Sequence, residues 1–125
     1  MKKILLTFTL IALPIVGVSN FFATPVYAAA KVSKLGDLSA MSTIVTDTLK
    51  LVNAGDIKGA IKRVTEFETA WDKNAARLQK LDKKSWKLID GASDVALSTV
   101  RYPSATPAEM KTDLASLIVA LNNPN

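Results

Sequence analysis

Two carboxylates in the middle of the chain occupy positions where a helix would bury them. With about 100° of rotation per residue, Glu68 falls within the apolar face of one predicted helix, and Asp90 falls at the edge of the apolar face of the next. Asp72 and Asp94 follow one turn later, just outside those faces. Carboxylates on neighbouring helices can hold a hard or borderline cation, as they do in helical bundles that bind two iron ions. The spacing therefore indicates a candidate metal site.

The same carboxylates also fit a buried polar network without a metal. If the helices pair as hairpins, Glu68 would lie near the level of Lys111, and a tryptophan ring N–H could donate to a buried acid. Helical di-iron sites also use Glu-x-x-His motifs, and this chain contains no histidine. We therefore favour the polar network and keep the metal site as the alternative.

A run of cations occupies the same stretch. Between residues 73 and 87 the only acidic residue is Asp82, and the basic residues are Lys73, Arg77, Lys80, Lys83, Lys84 and Lys87. Lys83 and Lys84 would lie in the first turn of a helix, where the helix dipole disfavours positive charge. With the free N–H groups of that helix start, the lysines could bind phosphate, a lipid headgroup or an acidic polymer. The alternative is a solvated face that only keeps the protein soluble.

Histidine and cysteine are absent from the sequence. The chain therefore lacks the commonest general base and zinc ligand, the usual haem ligand, and any thiolate or disulfide. It also contains no glycine-rich phosphate loop, no G-x-S-x-G elbow and no S-x-x-K motif. We predict a non-enzymatic protein without a cofactor.

Four amphipathic segments, each with apolar residues at intervals of three, four or seven, must position these side chains. Asp37 is the predicted N-cap of the first helix, and Gly55 suits its left-handed C-terminal cap. Asp56 and Asp82 are the predicted N-caps of the second and third helices. The fourth begins at Thr106-Pro107-Ala108-Glu109, which has the pattern of a capping box with proline at the first helical position.

Links of a few residues favour antiparallel neighbours, so we predict an all-α, up-down-up-down four-helix bundle over residues 37–122. A flexible lead at 29–36 would precede the bundle, and a tail at 123–125 would follow it. Trp71 and Trp86 lie on apolar stripes and are expected to fill the core at the hinge between the second and third helices.

The first 28 residues show the three parts of a secretory signal peptide. Met1-Lys2-Lys3 is basic, Ile4–Val18 is an apolar run, and Val26-Tyr27-Ala28 fits the small-x-small rule for cleavage after Ala28. An uncleaved membrane anchor is the alternative, although a span needs roughly twenty apolar residues. Cleavage would leave a chain without a transmembrane span, exported to the periplasm or the cell exterior.

The charge of the exported part is mildly basic. Two of the 16 basic residues, Lys2 and Lys3, belong to the signal peptide, which leaves 14 basic residues against 11 acidic ones. This balance favours contact with anionic surfaces but is far from the strongly basic balance of nucleic-acid-binding domains. We expect no specific nucleic-acid partner.

The run E-T-A-W-D at 68–72, then Leu78 with Asp82, then W-K-L-I-D at 86–90, resembles a hairpin of small exported bacterial helical proteins, most without an assigned function. The likeness covers about residues 60–121 and supplies no active site. A looser resemblance to exported helical regions that accompany high-affinity iron permeases implies a link to cation uptake, although no metal-ligand motif matches.

Together these features predict an exported, non-enzymatic helical bundle that acts as a binding or accessory protein of the cell envelope. Its partner would be an envelope protein or an anionic surface, contacted through the basic hairpin end. The alternative function is a carboxylate-based metal-binding module linked to cation uptake, especially of iron.

Overall fold

The computed structural model describes residues 34–124, and this part of the chain folds into four α-helices and no strand. These are α1 (Ser39–Asn53), α2 (Ile57–Leu81), α3 (Lys83–Arg101) and α4 (Pro107–Asn122). Each helix packs against two others, so that α1 and α3 both contact α2 and α4, while the diagonal pairs do not meet. The all-helical class is confirmed, and the packing is that of a helical bundle. The predicted signal peptide and most of the predicted lead lie outside the described residues.

Local side-chain chemistry sets where three of the helices begin. The Asp56 carboxylate accepts a 2.8 Å hydrogen bond from the Gly59 N–H and caps α2. Asp82 caps α3 in the same way, and both predicted N-caps are confirmed. At the start of α4 the predicted capping box is also present, because the side chains of Thr106 and Glu109 each accept from the other residue's N–H. An uncapped helix start leaves orphan N–H donors, and these caps satisfy them.

The structure has the predicted cap at the C-terminus of α1 but not the predicted cap at its N-terminus. At its C-terminus Gly55 has φ +78, its N–H donates to the Val52 carbonyl, and the Asp56 N–H donates to the Leu51 carbonyl. This is a Schellman motif, which favours glycine at the left-handed position. The predicted N-cap at Asp37 is wrong by one residue, since Leu38 holds that position. Asp37 instead accepts a 2.8 Å hydrogen bond from the N–H of Ser39.

The core is built from all four helices and from Leu35 and Leu38, which precede α1. Its largest fully buried apolar side chains are Leu35, Val45, Val52, Val64, Phe67, Leu78, Ile89, Val100, Leu114 and Leu117. Leu35 falls within the predicted flexible lead, and yet it is fully buried. The packed part of the chain therefore begins before α1.

Two buried hydroxyl groups are bonded within their own helices. Thr48 and Ser93 are buried, and their hydroxyls donate to the carbonyls of Ile44 and Ile89, one turn earlier. These bonds remove the cost of burying a hydroxyl without a partner. In the part of the chain that is described, none of the helices has the length and apolar character needed to cross a membrane.

Candidate functional site

The joint between α2 and α3 is a single residue. Helix α2 ends at Leu81, α3 begins at Lys83, and Asp82 between them has extended backbone angles, φ −157 and ψ 99. A one-residue joint places the last turn of α2 and the first turn of α3 at the same end of the bundle. The cations before and after Asp82 are brought together by this geometry.

All six cations predicted for the site are exposed to solvent. Their one described side-chain hydrogen bond runs from the Arg77 guanidinium to the Asn74 side-chain oxygen, at 3.2 Å. Within residues 34–124, none of the six forms a salt bridge. Their charge is therefore directed to solvent and is not neutralised by neighbouring acids.

The predicted contribution of free helix N–H groups to an anion site is wrong. The N–H groups of Lys84 and Ser85 donate to the Asp82 carboxylate at 3.1 and 3.2 Å, and the Ser85 hydroxyl donates to the same group at 2.9 Å. The pKa of Asp82 is lowered, first by the N–H and hydroxyl of Ser85 and then by Lys84 and Lys34. Because Asp82 occupies this position, an external anion would meet lysine side chains and not the helix start.

The same end of the bundle receives both ends of the described chain. Lys34, which precedes α1, and Pro124, which follows α4, line one cavity with Lys84 and Leu88 of α3. Leu88 has 45% of its surface exposed, and Leu81, beside the joint, has 51%. We call the set Lys80, Leu81, Lys83, Lys84, Lys87 and Leu88 the basic hinge surface.

The carboxylate predicted to lie deepest is instead at the surface between two helices. Glu68 keeps 37% of its side chain exposed, and both of its oxygens accept from the Arg101 guanidinium of α3, one of them at 3.3 Å. Arg101 also donates to the Thr65 hydroxyl at 3.1 Å. This pairing lowers the pKa of Glu68 and raises that of Arg101. The predicted partner Lys111 is wrong, since the ion pair forms with Arg101 and Lys111 is exposed.

Asp90 has the tryptophan partner that the polar-network hypothesis allowed. Its carboxylate accepts a 2.9 Å hydrogen bond from the ring N–H of Trp71. Trp71 is only 3% exposed and stacks on Phe67, with ring centroids 6.1 Å apart. The second tryptophan, Trp86, is half-buried, and its buried ring N–H has no partner among the described residues.

The four candidate metal-binding carboxylates do not converge. Glu68 is paired with Arg101, Asp90 is bonded to Trp71, and the side chains of Asp72 and Asp94 are exposed. Across the described range, no three acidic side chains lie close enough together to hold a metal ion. The geometry therefore favours two separate polar contacts between α2 and α3.

Comparison with known proteins does not add to this description. No protein-family model matches the chain, and no curated protein or solved structure is significantly similar to it. Function is therefore argued from the geometry of the described residues.

Two further clefts lie near the α3–α4 connection. One, of about 340 Å³, is lined mainly by apolar residues that include Ile57, Ile61 and Met110. Its charged residue is Arg101, whose guanidinium is already bonded to Glu68 and Thr65. The acids of the other cleft are also engaged, since Glu109 belongs to the capping box and Asp113 accepts from the Thr99 hydroxyl at 2.6 Å. Neither cleft offers a free charged group.

Two features of these sites were not predicted, although the sequence contains a signal for each. Glu68 and Arg101 have opposite charges and lie at comparable distances along the chain from the joint at Asp82, 14 and 19 residues away. A search for opposite charges matched across the hairpin would have found the pair. Leu88 directly follows Lys87 and lies four residues after Lys84, so an apolar residue among these exposed lysines was a visible exception.

Proposed function

We propose that the chain is an exported, non-enzymatic up-down-up-down helical bundle that binds anionic groups of the cell envelope through its basic hinge surface. The observation that carries this proposal is that the four cations of this surface, Lys80, Lys83, Lys84 and Lys87, are exposed and form no described salt bridge. The same holds for Lys73 and Arg77, which lie earlier on α2. The nearby acid, Asp82, is occupied in capping α3. Unpaired surface cations attract anions at a distance, and salt weakens this attraction.

Hydrogen bonds between neighbouring helices support the up-down arrangement. In each case the two residues lie at similar distances from the connection between their helices, as expected for antiparallel hairpins. The pairs are Asp47 with Arg63, Trp71 with Asp90, and Thr99 with Asp113. The hydrogen bond from Ser42, near the start of α1, to Asn122, at the end of α4, fits the same topology.

The non-enzymatic part of the proposal rests on chemistry. Histidine and cysteine are absent, and the carboxylates of Glu68, Asp82, Asp90 and Glu109 each have an assigned structural partner. A general base needs a carboxylate that is free to take a proton from a substrate. Export rests on the predicted signal peptide, and the intact mass of protein from an exporting host would test cleavage after Ala28.

Heparin chromatography with charge-matched variants tests anion binding at the basic hinge surface. Lys83 and Lys84 lie in the first turn of α3, whereas the exposed Lys58 and Lys62 lie near the start of α2, about 29–35 Å from its end at Leu81. Lys83→Gln/Lys84→Gln and Lys58→Gln/Lys62→Gln remove the same charge. We expect the first variant to elute at clearly lower salt than the second.

Two results of this experiment would overturn the proposal. One is equal elution of the two variants, because anion binding would then follow net charge without a site. The other is failure of the wild-type chain to bind the column at low salt.

The metal-binding alternative has a direct test of its own. Because Glu68 and Asp90 already have partners, we expect the melting temperature to remain unchanged when Fe²⁺, Mn²⁺, Zn²⁺ or Ca²⁺ is added and when a chelator is added. A rise with one of these ions that is lost in Asp90→Asn would establish the alternative.

A further inference from the structure

We propose that the anionic partner of the basic hinge surface is a phospholipid bilayer, and that Leu81 and Leu88 enter its headgroup layer beside the lysines. This inference rests on the anion-binding function proposed above and specifies the partner. Anionic bilayers attract basic segments electrostatically, and their interface also accepts apolar side chains.

The two leucines distinguish a bilayer from a soluble polyanion. Leu81 is 51% exposed and Leu88 is 45% exposed, which leaves apolar surface in water at the centre of a cationic region. A soluble acidic polymer would neutralise the lysines but would leave the leucines in water. A bilayer interface can bind both the lysines and the leucines, because it combines negative headgroups with an apolar interior.

The cationic and apolar groups share one surface of the bundle. Lys84 and Leu88 are four residues apart on α3 and therefore lie on the same side of the helix, and they line one cavity. Leu81 and Lys83 lie on either side of the single-residue joint at Asp82. By contrast Val95, an exposed apolar residue further along α3, follows an acid, Asp94. Charge complementarity therefore selects the hinge end.

The order of the chain relates this end of the bundle to the N-terminal apolar run. Lys34, the first described residue, lines the cavity with Lys84 and Leu88, so the chain enters the bundle at the basic hinge surface. This end is the one closest along the chain to the apolar run Ile4–Val18.

Vesicle sedimentation tests the proposal with the full chain from an exporting host, its N-terminus read by intact mass. We expect binding to vesicles of phosphatidylglycerol and phosphatidylcholine, and much weaker binding to pure phosphatidylcholine. Each lysine near an anionic bilayer contributes about five-fold in affinity, so Lys83→Gln/Lys84→Gln should weaken binding by about 25-fold. The control Lys58→Gln/Lys62→Gln should change it far less.

Variants of the two leucines distinguish insertion of apolar side chains into the bilayer from electrostatic attraction to its headgroups. Moving a half-exposed leucine out of water contributes about three- to ten-fold in affinity, so Leu81→Gln/Leu88→Gln should bind anionic vesicles at least about ten-fold more weakly. The same variant should elute from heparin like the wild type, and a wild-type circular dichroism spectrum would show that it is folded. Val95→Gln is the matched control on α3 and should bind vesicles normally. If the double variant elutes abnormally, Leu81→Gln alone, at the more exposed position, should still bind vesicles about three-fold more weakly.

The outcomes distinguish this inference from the proposed function. Binding to heparin without binding to anionic vesicles would overturn the bilayer assignment and keep the anion-binding function. The bilayer assignment is likewise wrong if the leucine variants bind vesicles as tightly as the wild type. If the wild-type chain binds neither heparin nor anionic vesicles, both proposals are overturned.

Discussion

Trp71 and Asp90 form the most specific polar contact between α2 and α3. The ring N–H is held in a side chain that is only 3% exposed, and its 2.9 Å bond to the carboxylate links α2 to α3. Burying an indole N–H without an acceptor costs free energy, whereas a hydrogen bond to a charged acceptor is stronger than average. Trp86 lacks such a partner among the described residues.

The two tryptophans should therefore respond differently to replacement by phenylalanine. We expect Trp71→Phe to lower the free energy of unfolding by about 1–3 kcal/mol more than Trp86→Phe, because it leaves the Asp90 carboxylate without its donor. Urea unfolding followed by circular dichroism measures both values. A double-mutant cycle with Asp90→Ala, which removes the acceptor, isolates the pair, and a coupling energy near zero would contradict the assignment.

The Glu68–Arg101 ion pair should contribute little by comparison. Both side chains are more than a third exposed, and exposed pairs usually contribute about 0–1 kcal/mol. We expect Glu68→Gln to destabilise the bundle by less than about 1 kcal/mol, and the effect should shrink in high salt. Asp72→Asn on the same helix is the control. A loss of several kcal/mol in urea unfolding would show that Glu68 does more than pair with Arg101.

At the scale of the helices, Asp82 has two structural roles. It is the whole connection between α2 and α3, and its carboxylate accepts from the N–H groups of Lys84 and Ser85. The same bonds lower its pKa. A carboxylate with a lowered folded pKa stabilises the fold above its unfolded pKa of about 4 and loses that contribution as the pH falls through the folded value.

Lowering the pH should therefore destabilise the joint between α2 and α3, and protonation of Asp82 should account for part of the lost stability. We expect Asp82→Asn to melt below the wild type at pH 7, and to lose less stability than the wild type as the pH falls below about 4. Thermal unfolding at a series of pH values gives both quantities. Asp72→Asn, whose exposed side chain caps no helix, should follow the wild-type curve. If the melting temperatures of Asp82→Asn and the wild type fall in parallel as the pH is lowered, protonation of Asp82 does not cause the loss of stability in acid.

At the scale of the whole molecule, one core joins the four helices with Leu35 and Leu38, which precede α1. Phe67 is fully buried and stacks on Trp71, so it links the middle of the core to the polar contact with Asp90. With no disulfide in the chain, the stability of the bundle depends on this packing. Small domains have only about 5–15 kcal/mol of stability in total.

Replacing Phe67 by a smaller residue should remove a large part of that free energy of unfolding. We expect Phe67→Ala to cost about 3–5 kcal/mol, through lost burial and the cavity left behind. Val119→Ala, at a position that is 65% exposed on α4, should change stability by less than about 0.5 kcal/mol. Urea unfolding of both variants provides the comparison. A small effect at Phe67 would mean that the core relaxes around the missing ring.

Many features of the fold could be predicted because they depend on residues only a few positions apart. The caps at Asp56, Asp82 and Thr106 bond to N–H groups two or three residues later, and Gly55 is needed where the backbone turns left-handed. Apolar periodicity likewise indicates the buried side of each helix. These are short-range properties, and the sequence alone determined them.

The tertiary structure decided which groups meet across helices. It paired Glu68 with Arg101 and not with Lys111, directed the Trp71 ring N–H to Asp90, and separated the candidate metal-binding carboxylates. It also buried Leu35 and left Leu81 exposed beside the lysines. These outcomes depend on the rotation and relative height of whole helices, which are set by the packing of the complete core and not by the spacing within any one helix.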